Sequence, residues 1–151
     1  MKIVKLEKII DEKRIYISTK DINNKEDILI NLCSLSEQKV KNLTEFTEGI
    51  FEREEIMSTG LGVGTAFPHL KISSVSEFFV TIGIFPDGVE WDSLDGEPVF
   101  IVFLIGGPDG QQNRYLGILA KLSLFAKNRA NRETLIKCQT AQEVAALFKG
   151  L

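Results

Sequence analysis

One histidine and two cysteines are all that this 151-residue chain offers for metal or thiol chemistry. A structural zinc centre takes about four His or Cys ligands at short spacings, and His69, Cys33 and Cys138 stand far apart with no such pattern. No metal site is expected. With no leader-like segment in Met1-Lys2-Ile3-Val4, the thiols are expected to be reduced and the protein cytoplasmic. Positive charge is also in short supply: 18 Lys and Arg face 21 Asp and Glu, a formal charge of −3. The basic stripe of a nucleic-acid binder is therefore not expected. Long apolar runs are missing as well, since residues 78–85 and 99–105 fall far short of the ~20 residues that span a bilayer as a helix. There is no repeat, low-complexity tract or Pro/Gly/Ser linker. A single domain over residues 1–151 is expected, long enough to bury a full core.

What is present patterns as alternating helices and strands. Residues 4–10 read as a short helix, and Ile15-Tyr16-Ile17-Ser18 has the β-branched and aromatic content of a strand. Asn23 or Asn24 caps a helix whose Ile28, Leu29, Leu32, Cys33 and Leu35 share one face. Asn42-Leu43-Thr44-Glu45 has the form of a second helix start, with Leu43, Phe46, Ile50 and Phe51 inward and an end near Glu55. The two apolar runs at 78–85 and 99–105 lack alternation, as strands covered on both faces do. Thr65-Ala66-Phe67 is a candidate short strand that ends just before His69, and Asp95-Gly96 marks a turn. Residues 114–127 place Tyr115, Ile118, Leu119, Leu122 and Phe125 on one stripe, and Thr140-Ala141-Gln142-Glu143 is a capping box before Val144, Leu147 and Phe148. Helices at both ends around a central apolar sheet predict an α/β layered domain.

The chemistry concentrates in residues 59–69, Thr-Gly-Leu-Gly-Val-Gly-Thr-Ala-Phe-Pro-His. Gly60, Gly62 and Gly64 are spaced G-x-G-x-G, which is neither the dinucleotide fingerprint nor a P-loop. A tight backbone path beside a site is the better use for them. His69 reacts, binds or simply packs. Its imidazole is largely neutral at cellular pH and hence nucleophilic, and Pro68 stiffens the approach to it. No G-x-S-x-G elbow gives it a hydrolytic partner. Arg53, at the end of the preceding helix, is either a solvated charge or a guanidinium fork for phosphate oxygens. Glu90, Asp92, Asp95 and Glu97 cluster in a turn, where acidic residues are common for local reasons.

Three blocks taken together carry a resemblance: Arg53-Glu54-Glu55-x-x-Ser58-Thr59-Gly60-x-Gly62-x-Gly64-x-Ala66-x-Pro68-His69, then Val89-x-Trp91-x-x-Leu94-Asp95-Gly96-x-Pro98-Val99, then Leu116-x-x-Leu119-Ala120-Lys121-Leu122. In that order and spacing the chain resembles the phosphotransferase-system enzyme IIA domain of the fructose/mannitol/nitrogen-regulatory type. The resemblance implies a mixed α/β sandwich with a central mixed sheet, flanked by helices. It implies His69 as acceptor of a phosphoryl group from a phosphohistidine of an HPr-like carrier, and Arg53 as the cation that neutralises the transferred group. Onward transfer would be to a cysteine of a IIB domain, or the modification would act as a nitrogen-type regulatory mark. The lack of a linker or attached IIB region favours the free-standing regulatory type. No metal or organic cofactor is implied.

Ser58 and Thr59 hydroxyls and the Gly60, Gly62 and Gly64 backbone are candidate phosphate donors, because phosphoryl transfer is carried mainly by positioning and charge stabilisation. Many members of that family carry a second histidine at the position of Tyr115, whose phenol is a further candidate hydrogen-bond donor. Leu70 stands where a small residue usually follows the histidine, and Lys71 supplies a nearby charge. The competing expectation is a binding module on the same scaffold that acts through its surface without being phosphorylated.

Overall fold

The computed structural model describes residues 4–151. α1 (Leu6–Ile9) runs directly into β1 (Ile10–Ile17), and α2 (Lys25–Leu35) is followed by a single 3₁₀ turn at Glu37–Lys39 and by α3 (Leu43–Ile56). Three short strands come next, β2 (Gly60–Gly62), β3 (Thr65–Ala66) and β4 (His69–Lys71). The two long strands are β5 (Phe79–Val89) and β6 (Val99–Gly107), and α4 (Gln112–Lys127), α5 (Arg129–Lys137) and α6 (Ala141–Ala146) complete the described chain.

The helix starts follow from their caps. Asn24 Oδ1 accepts from Asp27 N at 2.9 Å, Asn42 Oδ1 from Glu45 N at 3.0 Å, and Thr140 Oγ1 from Glu143 N at 3.1 Å. Each bond satisfies an amide that has no partner within its helix. In the last case the returning Glu143 carboxylate bonds the N–H of Gln139, one residue earlier than a strict capping box requires.

The sheet has six strands in the order β1-β5-β6-β3-β2, with β4 also paired to β6. β5 and β6 are antiparallel, whereas β1 lies parallel to β5, and β3 and β4 lie parallel to β6. Alternation along β6 divides the core in two. Ile101, Phe103 and Ile105 join Val80, Ile82, Ile84, Ile118, Leu122 and Phe148 on one face, while Val102 and Leu104 join Phe79, Phe46, Ile50, Leu29 and Leu32 on the other. The result is the expected mixed α/β sandwich, with both faces of the sheet covered as the unbroken apolar runs required. Each fully buried Leu, Ile or Phe contributes about 1.5–3 kcal/mol.

Differences from the expected elements have local causes. β1 begins at Ile10, well before Ile15, because its charged residues Asp11, Glu12 and Lys13 face solvent on an edge strand. Both apolar strands run past their expected ends, β6 through Gly106 and Gly107. A Cβ at Gly106 would overlap the Phe79 ring, and one at Gly107 the Phe78 ring. Asn128 caps the helix α5, which the apolar pattern did not mark, by accepting from Asn131 N at 3.1 Å.

Leu70, at a position where a small residue was expected, packs against α3 at Gly49. A Cβ added to Gly49 would overlap Leu70 Cδ2, so the large residue on the strand and the missing side chain on the helix are complementary. Gly49→Ala alone is expected to destabilise by up to about 2 kcal/mol, because overpacking of ~1–3 kcal/mol outweighs the ~1 kcal/mol helix preference of Ala over Gly. In a Leu70→Ala background the same change should instead stabilise, by up to about 1 kcal/mol. Urea unfolding of the four proteins of this cycle checks the change of sign.

Candidate functional site

The position of His69 begins with a break in a strand. β3 pairs Thr65 with Ile101 and Ala66 with Val102, and β4 pairs His69 with Ile105 and Leu70 with Gly106, in one continuous register. The two are halves of a single strand interrupted at Phe67 and Pro68. The Pro68 carbonyl faces β6, accepting from Ile105 N at 2.9 Å. Successive carbonyls of a strand alternate in direction, so that of Phe67 faces the opposite edge. There β2 has already ended, its last link being Phe67 N to Thr59 O at 3.0 Å.

The imidazole of His69 takes up this free carbonyl. His69 Nδ1 lies 2.9 Å from Phe67 O. A carbonyl oxygen only accepts, so Nδ1 carries the hydrogen, and the neutral ring has its lone pair on Nε2. Burial pushes the His69 pKa below the ordinary imidazole range. The bond to Phe67 opposes this shift, the charges of Arg53 and Lys71 add to it, and Glu54 opposes it. The ring is half-buried and held in the form that can act as a nucleophile.

Strand alternation directs His69 and Lys71 to the same face, toward the start of α4. The rings of His69 and Tyr115 lie 5.2 Å apart between centroids, tilted by 36°. Lys71 Nζ sits 4.7 Å from the Tyr115 ring centroid and bonds Gln112 Oε1. Tyr115 is itself buried, which raises its phenol pKa against the opposing charge of Arg53. It therefore remains a protonated donor around neutral pH. Arg53 is exposed on the last turn of α3, its side chain makes no hydrogen bond or ion pair among the described residues, and its charge bears on both His69 and Tyr115. Three of the residues singled out in sequence, His69, Lys71 and Tyr115, thus meet at one end of the sheet, and the charge of Arg53 acts on that group.

The other candidates are engaged elsewhere in the fold. Thr59 is buried, and both its hydroxyl and its amide donate to the Glu54 carboxylate. Ser58 Oγ donates to Trp91 O at 3.2 Å and accepts from Gly60 N at 3.2 Å, which engages the Gly60 amide too. Gly62 and Gly64 belong to the β2–β3 turn, with φ of 115° and 72°. Gly64 is five residues from His69 along an extended path, roughly 16 Å. These glycines serve the turn because only a residue without a Cβ adopts such angles freely.

Lys25 and Glu54 were missed. Glu54 follows Phe46 and Ile50 at intervals of four and so falls on the inner face of α3, a signal the periodicity carried. Lys25 left no comparable signal. Their ion pair is 2.6 Å long, with only 4% of the Glu54 side chain accessible. Among the described residues no cluster of three or more His, Cys, Asp or Glu side chains is able to hold a metal, and no helix is long and apolar enough to cross a membrane.

The chain matches the family model described as phosphoenolpyruvate-dependent sugar phosphotransferase system, EIIA 2, over residues 8–150. The fructose-specific EIIABC component of Bacillus subtilis (strain 168) is 30% identical over 131 residues, which cover 87% of this chain but only 20% of that longer protein. The crystal structure of nitrogen regulatory protein IIA-Ntr from Neisseria meningitidis superposes with a TM-score of 0.86 at 26% identity, covering 95% of this chain and 98% of that one. Enzyme IIA mannitol from Escherichia coli, solved in complex with phosphorylated IIB mannitol, shares the fold at a TM-score of 0.77 and 18% identity, covering 92% of this chain and 96% of that one.

The depressed pKa of His69 has a consequence for stability. Its folded-state value lies below the ordinary 6.5, so on acidification the unfolded chain takes up this proton first. The contribution of His69 is therefore constant above about 6.5 and is lost as pH falls from there through the folded-state value. Chemical unfolding at stepped pH should show this acid-side loss in the parent protein and its reduction in His69→Asn.

Proposed function

The chain belongs to the EIIA 2 family of the phosphoenolpyruvate-dependent sugar phosphotransferase system, and from that premise we propose that it is a phosphocarrier whose acceptor atom is Nε2 of His69. The observation that supports this most directly is the Nδ1 bond to Phe67 O, which leaves the Nε2 lone pair available. The donor is a phosphohistidine on an HPr-like protein. In the transfer the Nε2 lone pair forms a bond to phosphorus while the donor's N–P bond breaks, and the electron pair of that bond stays on the donor imidazole. Nδ1 keeps its proton. The positive charge that develops on the attacking ring is shared through Nδ1–H with the Phe67 carbonyl.

Charge stabilisation on the phosphoryl oxygens falls to Arg53, whose planar fork has no competing partner among the described residues, and to Lys71. The Tyr115 hydroxyl is a neutral donor beside them. The start of α4, which has no side-chain cap, adds the partial positive charge of a helix N-terminus. A fixed arrangement of this kind is what phosphoryl transfer requires, and it needs no metal or cofactor. Onward transfer is to a IIB domain, or the phosphorylated state is read by a regulatory target. The Neisseria IIA-Ntr likeness over nearly all of both chains supports the regulatory branch. Both branches place the domain in the cytoplasm, with the carrier proteins that supply it.

Incubation with phosphoenolpyruvate, enzyme I and HPr should add one phosphoryl group, in an acid-labile and base-stable linkage. Mass spectrometry should show it lost in His69→Ala. Arg53→Ala should retain the fold by circular dichroism and slow transfer by about 100-fold, the scale of removing one charge-stabilising donor. A chain that takes up no phosphoryl group yet captures its partners equally well as His69→Ala would instead be a binding module on this scaffold.

A further inference from the structure

The final turn of α3 has an unusual anchor. Arg53, Glu55, Ile56 and the following Met57 are all exposed, with Ile56 at 78% and Met57 at 61%. The one buried side chain in that turn is a carboxylate, Glu54. Helix ends fray because their last carbonyls have no partner within the helix, and no apolar side chain pins this one. Arg53 has no partner of its own to hold its guanidinium in place. Its position depends on how the backbone of this turn is held.

Glu54 supplies the hold. Its carboxylate accepts from Lys25 Nζ at 2.6 Å, from Thr59 N at 3.1 Å and from the Thr59 hydroxyl. Trp91 reinforces the group, its carbonyl accepting from Lys25 Nζ at 3.0 Å and its indole N–H reaching Thr59 Oγ1 at 3.4 Å. Thr59 O then accepts from Phe67 N at 3.0 Å, and Phe67 O from His69 Nδ1 at 2.9 Å. An unbroken line of bonds runs from the turn that carries Arg53 to the ring of His69.

We infer that Glu54 is a positioning residue: gripped by Thr59 and Lys25, it fixes the last turn of α3 at the one place from which Arg53 serves His69. Lys25 has a second part in this. By pairing with the buried carboxylate it keeps Arg53 from being drawn into that pairing, so the guanidinium stays available for an anion. The effect on transfer rate rests on the phosphocarrier reading, whereas the placement of Arg53 does not.

Thr59→Val is the appropriate probe, since it keeps the side-chain shape and the charge but removes the hydroxyl from Glu54. The charged and titratable groups that face His69 are Arg53 and Glu54 from α3, Lys71 on its own strand and Tyr115 from α4. As the sole histidine in the chain, His69 gives one imidazole titration by NMR. If the hold loosens, the charge of Arg53 moves away and the His69 pKa should rise in Thr59→Val, as in Arg53→Ala. It should rise no further in the double variant and stay at the parent value in Thr59→Ser.

Transfer from phospho-HPr should slow by about 10–100-fold in Thr59→Val, the scale of a small displacement of a positioned group. That loss should disappear in an Arg53→Ala background. Unchanged titration in a folded Thr59→Val protein, or losses that multiply with those of Arg53→Ala, would overturn the inference. If Thr59→Val does not fold, Glu54→Gln carries the same rate cycle with the same two outcomes. If the parent protein takes up no phosphoryl group, the phosphocarrier reading fails, and the titrations of these variants still decide the placement of Arg53.

Discussion

Everything at the site depends on one hydrogen bond, from the Nδ1–H of His69 to the carbonyl of Phe67. It exists because the neighbouring strand stops short and because the amide of Thr59, which would complete the pair with Phe67, donates to Glu54 instead. Those two facts leave a backbone acceptor without a backbone donor at the edge of the sheet, and the imidazole two residues later fills the role. The same bond selects the tautomer, orients the ring and supports the charge that would form on it. A free imidazole in water interconverts between two tautomers, whereas this one is held in one.

Around that ring the charge distribution runs against the composition. The chain is acidic overall, yet the charges nearest His69 are the cations Arg53 and Lys71 and a single buried carboxylate that already has a lysine partner. Local placement, and not net charge, makes this end of the sheet suitable for an anion. Burial and the two cations disfavour protonation of the ring, and the same two cations favour a bound phosphoryl group. One arrangement would therefore serve both roles in the proposed transfer.

Much of the fold was legible in the sequence. The asparagine and threonine caps, the inner faces of α2, α3 and α4 and the two apolar strands all carry periodic or capping signals that local physics reads directly. The short strands β2 and β4 were not legible, because three residues each, the first rich in glycine and the second just after a proline, carry no period. Nor was Arg14, which lies in a charged stretch yet is buried, with Nη2 donating to Ile9 O at 3.0 Å. At the site, His69 and Arg53 stood out from sequence pattern and family likeness. Ser58 and Thr59 stood in sequence as candidate phosphate donors, and nothing in a linear chain shows that a buried carboxylate five residues earlier already holds Thr59. Side-chain partners brought together by folding are what such reading lacks.

The unbroken register across Phe67 and Pro68 also limits what kinds of change the chain tolerates there. Along the β4 segment, odd positions look toward α4 and even positions toward α3, so parity alone decides that the imidazole meets Tyr115 and the leucine meets Gly49. Exchanging one side chain for another alters chemistry at a point. Inserting or deleting a single residue between Ala66 and His69 would swap the two faces, carrying Leu70 into the polar end and the imidazole into the hydrocarbon layer. Spacing, more than the identity of any residue within it, is the quantity this segment has to preserve.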